Sequence, residues 1–318
     1  MGKITGGDNH VFVVRAGKWP QRQGMDNAAS TARHVAGLIA AAAASVSLGI
    51  VTPAARIAYD GGVTATTLVA FRVAVATIVT ALLVMTLRRP WTLARNARRP
   101  TAGTALGILM VAFGYMSSVL FIPVSLAALI FFTFPIIVLI HGIAVEGRRP
   151  GVTTLIAFVA AFGGLALALG PSFQELDWRG IACALVAALG ATVVMIAGAT
   201  AARRTDAFTL TFYTQALCLP VVAAVLLSIG TVALPADQAG WTGLLVASGG
   251  YIAGMVLLMM AVRFANPAPV SMINNLEPVV TLTTAALLLG ERLSAVQYFG
   301  GALVLVAVVL AAREMAGD

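Results

Sequence analysis

The sequence predicts an all-α integral membrane protein with ten transmembrane helices in two inverted repeats of five helices. Three observations lead to this fold class: an apolar composition, long uncharged runs, and a similarity between the two halves of the chain. Hydrophobic residues make up 60% of the 318 positions and charged residues only 10%, which differs strongly from an ordinary soluble domain. A helix that spans a bilayer needs roughly 20 mainly apolar residues, and the chain offers many such runs.

Uncharged runs mark most of the predicted helices. Single spans are expected in the runs 34–55, 150–174, 180–202, 207–236, 238–262 and 293–312. The run from 100 to 145 is long enough for two helices, with a break expected at Pro123, because proline removes a backbone donor and disfavours helix at the preceding residue. A helix that begins near Val63 and contains Arg72, and a helix that contains Glu277, bring the count to ten.

Basic residues are distributed unevenly between the two sides of the predicted helices. With the N terminus in the cytoplasm, only Arg56, Arg179 and Arg292 lie in loops on the outer side, and the other loop Lys and Arg residues lie inside. Short basic loops are retained in the cytoplasm, so both termini are predicted to be cytoplasmic. This clustering accounts for the net charge of +8 without a nucleic-acid partner.

The chain is expected to divide into an arm and two repeats. Residues 1–33 are polar, and we expect a cytoplasmic arm that is either disordered or precedes a true start at Met25. Residues 34–174 and 175–318 are expected to form the two five-helix repeats, the second with a short C-terminal tail.

A shift of 143 residues superposes the halves of the sequence. It brings together Gly37 and Gly180, Gly107 and Gly250, Phe121 and Phe264, and Pro135 and Pro278. Five helices is an odd number, so the second copy enters the membrane with the opposite orientation. Inverted repeats are typical of secondary transporters, whose substrate site lies near the bilayer midplane between the repeats.

Glu277 is the main candidate for a functional residue. Uncharged residues fill 264–276 and 278–290 on either side of it, so the carboxylate lies deep in a predicted span. An acid at a helix centre costs about 3 kcal/mol on insertion scales and is rarely tolerated without a partner, a cavity or a function. We interpret Glu277 as part of a substrate or proton path. A packing role beside the predicted kink at Pro278 is the alternative.

Other polar residues at membrane depth are candidates for the same cavity. Under the shift, Arg72 corresponds to Gln215, and two aromatic residues correspond to Asn274 and Asn275. Arg72 is interpreted either as a site for a substrate anion or as an anchor to headgroups or a backbone carbonyl. Further candidates for substrate or proton binding are Ser271, Asn274, Asn275, Thr281, Tyr115, Gln215 and Tyr251, and Pro135 is expected to kink its helix as Pro278 does.

Several chemistries find no support in the sequence. Cys183 and Cys218 have no metal-ligand spacing, and the chain contains neither an H-E-x-x-H motif nor a G-x-x-x-x-G-K-[ST] loop. We therefore expect no metal, no cofactor and no enzymatic activity. An intramembrane enzyme and a non-transporting scaffold or sensor are the alternatives from other functional classes.

Two stretches of sequence resemble a known family. The string NNLEPVVTLTTAALLLGERLSAVQYFGGALVLVAVVL and its degenerate copy FFTFPIIVLIHGIAVEGRRPG resemble the EamA branch of the drug/metabolite transporter superfamily, over about Val35 to Arg313. Glu277, Pro278, Gly290 and Glu291 match the family pattern, whereas the first copy carries Phe134 in place of an acid.

The resemblance implies a permease of the inner membrane with a central cavity. Such a protein moves a small metabolite, amino acid or drug by alternating access, commonly outward, as one five-helix half rocks against the other. A proton-coupled exporter and an uncoupled facilitator both remain open. The substrate, the direction, the coupling ion and the choice between monomer and homodimer are not decided by the sequence.

Overall fold

The computed structural model describes residues 20–147, 150–170, 176–229, 232–290 and 292–317, with side chains from Thr31 to Ala311. Within these ranges the chain forms twelve α-helices and no strands. They are α1 (Pro20–Asp60), α2 (Ala65–Thr86), α3 (Arg95–Ser118), α4 (Val124–Phe131), α5 (Phe134–Ala144), α6 (Val152–Leu169), α7 (Trp178–Ala202), α8 (Ala207–Ile229), α9 (Gln238–Phe264), α10 (Pro267–Ile273), α11 (Leu276–Leu289) and α12 (Ala295–Gly317).

The helices make up ten membrane spans. Among the described residues, nine segments are long and apolar enough to cross a membrane, with α4 and α5 together forming one and α10 and α11 another. The apolar part of α12, Ala295–Ala311, is shorter, and its 17 residues extend over about 26 Å at about 1.5 Å each. The predicted all-α membrane fold is confirmed.

Two predicted boundaries are confirmed and one expectation changes. Pro123 separates α3 from α4, and α2 begins at Ala65 and contains Arg72. Residues 20–33, expected to belong to the polar arm, instead continue α1 as helix, while residues 1–19 lie outside the described part.

The two halves have the same order of helices. Helices α2 to α6 recur as α8 to α12 after about 143 residues, and in both halves the fourth span is broken into two segments. Because each half has an odd number of spans, the second half is inverted with respect to the first.

The most extensive helix contacts join one half to the other. Helix α1 packs along α9, and α3 packs along α7. These two pairs are equivalent under the repeat, since α1 corresponds to α7 and α9 corresponds to α3. We call them the exchanged pairs. The pairs α2 with α8 and α6 with α12 are also in contact, and each consists of corresponding helices, so these two pairs lie across the pseudo-twofold axis between the halves.

Small residues allow the exchanged pairs to pack closely. A Cβ atom on Gly107 in α3 would lie 2.6 Å from the carbonyl oxygen of Gly190 in α7, and a Cβ on Gly250 in α9 would lie 2.8 Å from the carbonyl oxygen of Ser47 in α1. The 143-residue shift relates these two contacts to each other. Glycine permits such backbone approach in membrane helices, so the same packing device holds both pairs.

The two ends of the bundle differ in charge. We name as the basic end the one that carries the loops 87–94, 203–206 and 265–266, with Arg88, Arg89, Arg203 and Arg204. The opposite end carries the loops 61–64, 119–123 and 232–237. There, Asp177 and Asp237 accept hydrogen bonds from backbone N–H groups at the starts of α7 and α9, which is the usual capping arrangement.

Candidate functional site

Both broken spans are interrupted just before a proline. The break between α4 and α5 falls at Phe132 and Thr133, and the break between α10 and α11 falls at Asn274 and Asn275. A proline has no N–H group, and its ring collides with the carbonyl of the residue four positions earlier in a continuous helix. Pro135 and Pro278 lie in the first turn of the second segment of each span, which accounts for the place of the break.

Helix α1 holds the two segments of the second broken span. The hydroxyl of Ser45 lies 3.3 Å from the carbonyl oxygen of Ile273 and 3.3 Å from Oδ1 of Asn274. The hydroxyl of Thr281 donates a hydrogen bond of 3.0 Å to the carbonyl oxygen of Gly49. Carbonyls at a helix end lack partners within the helix. The Ser45 hydroxyl also lies 2.9 Å from the carbonyl of Ala41 in its own helix, so its single hydrogen is shared between α1 and the end of α10.

Gly49 sets the distance between α1 and Glu277. A Cβ atom on Gly49 would lie 2.8 Å from the carbonyl oxygen of Glu277 and 2.7 Å from the Cβ of Val280. Neither the backbone nor a β-branched side chain can yield easily at that distance. Neither Ser45 nor Gly49 stands out in the sequence, because both lie in an uncharged run that has the pattern of an ordinary membrane helix.

Most of the polar residues predicted along the ninth span take part in helix packing. Ser271, Asn274 and Asn275 are buried. The hydroxyl of Ser271 donates to the carbonyl of Ala268 at 2.8 Å. The spacings of three and four residues among Ser271, Asn274, Glu277, Thr281 and Thr284 predict one polar face on an unbroken helix. The break divides this face, so residues before it and residues after it do not form one row.

Glu277 lies in the first turn of α11, where the helix dipole stabilises a carboxylate. Its side chain is partly exposed, and within the described part of the chain its carboxylate has no hydrogen-bond or ion-pair partner. Helix α11 hardly touches α3, the helix that carries Tyr115.

Aromatic rings lie beside Tyr115, at the break in the first half. The ring of Tyr115 packs edge-on against Phe131 at 5.7 Å between centroids, and Phe131 lies 5.5 Å from Phe134. Under the repeat, Phe134 is the counterpart of Glu277. The first half thus carries an aromatic cluster at its helix break, and the second half carries a carboxylate at the corresponding break.

Arg72, Tyr251 and Gln215 form a second cluster. The guanidinium carbon of Arg72 lies 4.6 Å from the centroid of the Tyr251 ring, a cation–π distance. The hydroxyl of Tyr251 and the side-chain amide of Gln215 exchange hydrogen bonds of 3.1 and 3.3 Å. The Nε atom of Arg72 is buried and has no hydrogen-bond partner among the described residues.

The second cluster lies close to the middle of the membrane. Arg72 and Gln215 are counterparts under the 143-residue shift, and Tyr251 connects them. Corresponding residues of an inverted repeat can meet only near the pseudo-twofold axis, which lies in the membrane plane. Arg72 is between three and four residues from the centre of α2, which is about 5 Å along the helix.

Polar contacts close the basic end. Asp206 lies 3.8 Å from nitrogen atoms of both Arg89 and Arg263. Arg204 donates a hydrogen bond of 2.6 Å to the carbonyl of Asn96, and Arg203 donates one of 3.2 Å to the side chain of Asn266. The loop after α7 is thereby joined to the start of α3 and to the end of α9. In the sequence, the signal for this network is one acid within a basic loop, R-R-T-D.

Next to this network, on the side toward the membrane centre, α7 contacts α9. A Cβ atom on Gly198 would lie 3.3 Å from the sulfur of Met259. The repeat relates this contact to Ala55 in α1 and Met116 in α3, at the opposite end. Helices α1 and α3 hardly touch, so the contact that closes the basic end has no counterpart at the opposite end.

Among the described residues, no ion pair joins different helices at the opposite end, where the loops 61–64 and 232–237 are connected by a hydrogen bond of 2.9 Å from the N–H of Ala236 to the carbonyl of Gly61. The counterparts of Asp206 and Arg263 are Val63 and Leu120, and Leu120 is 77% exposed. The bundle is therefore closed at its basic end and less closed between α1 and α3 at the other.

Comparison with known proteins identifies the family. The model of the EamA-like transporter family matches residues 35–170 and 178–313. The chain belongs to the EamA-like transporter family. The two matches differ by 143 residues at both their starts (178 − 35) and their ends (313 − 170), which is the shift found in the sequence.

Relatives of this EamA-family chain agree with the family and the fold. An uncharacterized transporter of Archaeoglobus fulgidus is 26% identical over 224 residues, which cover 69% of this chain and 80% of the relative. A crystal structure of a protein with 14% sequence identity superposes with a TM-score of 0.76, covering 89% of this chain and 98% of the other. The identity of that structure is low, so it supports the fold alone.

Proposed function

We propose that this EamA-family protein is a secondary transporter that exports a small metabolite, amino acid or drug across the inner membrane, coupled to protons at Glu277. The single observation that carries the proposal is the carboxylate of Glu277, which lies directly after a helix break, is partly exposed, and has no hydrogen-bond or ion-pair partner among the described residues. Acids within membrane spans mark ion and substrate paths, and broken helices supply substrate and ion sites in secondary transporters.

The basic end is assigned to the cytoplasm, with both termini on that side, because basic loops are retained there. In that orientation, the closed end of the bundle faces the cytoplasm and the less closed end faces outward. A proton from outside can then reach Glu277 after the substrate has left. A proton-coupled exporter needs this protonation before its binding site becomes accessible from the cytoplasm again.

The movement that exposes the site to the cytoplasm follows from the exchanged helix pairs. The two five-helix halves are interlocked through α1 with α9 and α3 with α7, so each half is not a separate rigid body. We infer that the pair α1 and α9 rocks against the pair α3 and α7. The contact of α7 with α9 opens as the corresponding contact of α1 with α3 forms.

The test is transport by the purified protein in proteoliposomes with an imposed pH gradient and an internal pH dye. We expect substrate-dependent proton movement that Glu277→Gln abolishes while the variant still folds. The matched control is Asp60→Asn, which removes a carboxylate that pairs with Arg56 on the surface and should leave transport unchanged.

Two results would contradict the coupling. Proton movement that persists in Glu277→Gln would remove Glu277 from the coupling path. Substrate flux without proton movement, retained in Glu277→Gln, would identify an uncoupled facilitator in which Glu277 serves structure or recognition.

A further inference from the structure

We propose that Arg72 binds a carboxylate group of the transported substrate, which makes small carboxylic acids the substrate class of this protein. The inference rests on the proposed transport function and specifies its ligand. The guanidinium of Arg72 is fixed over the ring of Tyr251, and it pairs with no acid among the residues that the structure describes.

Arg72 carries its charge deep in the membrane. Arg72 lies about 5 Å from the centre of α2, whereas the hydrocarbon core extends about 15 Å to each side of the midplane. Charged residues at this depth pair with another group or face a water-filled cavity. A lipid headgroup lies too far away to supply the partner, so the partner is a soluble anion that enters the bundle.

The guanidinium of Arg72 has a donor without a partner among the described residues. The guanidinium carbon of Arg72 lies over the ring of Tyr251, whereas the N–H donors of a guanidinium lie along its edge. On that edge, Nε is buried and has no hydrogen-bond partner. Nε and a terminal nitrogen of arginine form the fork that binds a carboxylate through two parallel hydrogen bonds. The unpaired Nε is thus the donor that a carboxylate would satisfy.

The counterpart of Arg72 in the other half is an uncharged residue. Gln215 occupies the corresponding position, is buried, and is fully engaged with the hydroxyl of Tyr251. The scaffold therefore accepts a neutral amide at this position and does not require a positive charge for packing. The charge of Arg72 is an addition of the first half, and the ring of Tyr251 orients it.

The experiment measures the thermal unfolding of the purified full chain with five probes of similar shape. Benzoate, phenylacetate and L-phenylalanine carry a carboxylate, whereas phenethylamine and benzyl alcohol do not. We expect at least one carboxylate probe, at about ten times its dissociation constant, to raise Tm of the wild type by about 2–3 °C. We expect no rise with the same probe in Arg72→Gln.

Two further variants complete the design. Arg72→Lys keeps the charge but loses the fork, so we expect the concentration for a half-maximal shift to rise about tenfold or more. If Arg72→Gln does not yield monodisperse protein, this increase in Arg72→Lys carries the test. Asp60→Asn serves as the control and should respond as the wild type does.

The proposal is overturned if no carboxylate probe raises Tm of the wild type, or if the rise is unchanged in both Arg72 variants. Because the measurement needs no flux, it separates the anion site from the transport proposal. A carboxylate shift that depends on Arg72 in a protein without substrate flux would support the site and contradict the transport function.

Discussion

Asp206 lies 3.8 Å from a guanidinium nitrogen of Arg263 and thereby joins the loop after α7 to the end of α9. The same guanidinium donates a hydrogen bond of 3.1 Å to the carbonyl of Thr205. Only 16% of the Asp206 side chain is exposed, and Arg89 approaches it from the end of α2. A single exposed ion pair contributes about 0–1 kcal/mol, but this acid connects three parts of the basic end.

Asp206→Asn is expected to favour opening of the basic end. A loss of about 1 kcal/mol corresponds to roughly a fivefold larger open population. A cysteine at Thr104, which is buried beside Gly198 and Met259, reports that opening. In inside-out vesicles, an impermeant thiol reagent should label Thr104→Cys several times faster when Asp206→Asn is also present. Equal labelling rates in the two proteins would show that Asp206 does not hold this end closed.

The repeat predicts which residues meet in the other conformation. Gly198 and Met259 are in contact now, and their counterparts Ala55 and Met116 should come together when the basic end opens. In a background with both native cysteines replaced by alanine, a short bifunctional thiol reagent should join Gly198→Cys to Met259→Cys in the resting protein. The pair Ala55→Cys and Met116→Cys should be joined only during substrate turnover, and the product should not transport. Joining of the second pair without substrate, at the same rate as the first, would contradict the exchange of contacts.

Gly49→Ala is expected to impair transport and lower Tm. The added methyl group would meet the Glu277 carbonyl at 2.8 Å, so α11 must move, and overpacking of this kind costs typically 1–3 kcal/mol. The matched control is Gly249→Ala, where no atom lies within 4 Å of the added Cβ and the helix gains from alanine. Thermal unfolding and flux measured side by side should separate the two variants, and equal behaviour would show that the α1–α11 distance is not critical.

Ser45→Ala is expected to weaken the hold of α1 on the broken span. The Ser45 hydroxyl shares its one hydrogen between the carbonyl of Ala41 in its own helix and the Ile273 carbonyl and Asn274 side chain across the interface, and loss of the interhelical share costs about 1 kcal/mol. Ser47→Ala is the control, because the Ser47 hydroxyl bonds only to the carbonyl of Ala43 in its own helix. We expect a lower Tm and slower flux for Ser45→Ala alone. A loss of the same size in Ser47→Ala would mean that the interhelical bonds contribute nothing particular.

The sequence predicts the fold well because hydrophobic length and loop charge respond to the bilayer directly. The span that contains Arg72, the separation of α3 from α4 at Pro123 and the 143-residue shift are all visible as patterns along the chain. The same approach treats Ser271, Asn274 and Glu277 as one helical face, since periodicity assumes an unbroken helix. At the helix break before Pro278, Asn274 contacts Ser45 and Glu277 is partly exposed.

Other parts of the site depend on contacts that no local pattern contains. The repeat shift shows that Arg72 corresponds to Gln215, but not that Tyr251 bridges them. Likewise, Asp206 and Arg89 lie in different loops, and only the packing of α2 against α8 brings them within reach. The 143-residue shift identifies which residues occupy equivalent positions in the two halves. Which residues contact each other depends on how helices of one half pack against helices of the other.

The pairing of α1 with α9 also determines when the protein can be assembled. During synthesis, 178 positions separate the end of α1 at Asp60 from the start of α9 at Gln238 (238 − 60). At about 5–20 residues per second, the ribosome needs about 10–35 s to deliver the partner of α1. Throughout that interval the surface of α1 that will meet the glycines of α9, with Ala44, Ser47 and Ala54, faces lipid or the insertion machinery. The first half therefore matures only after most of the second has been made.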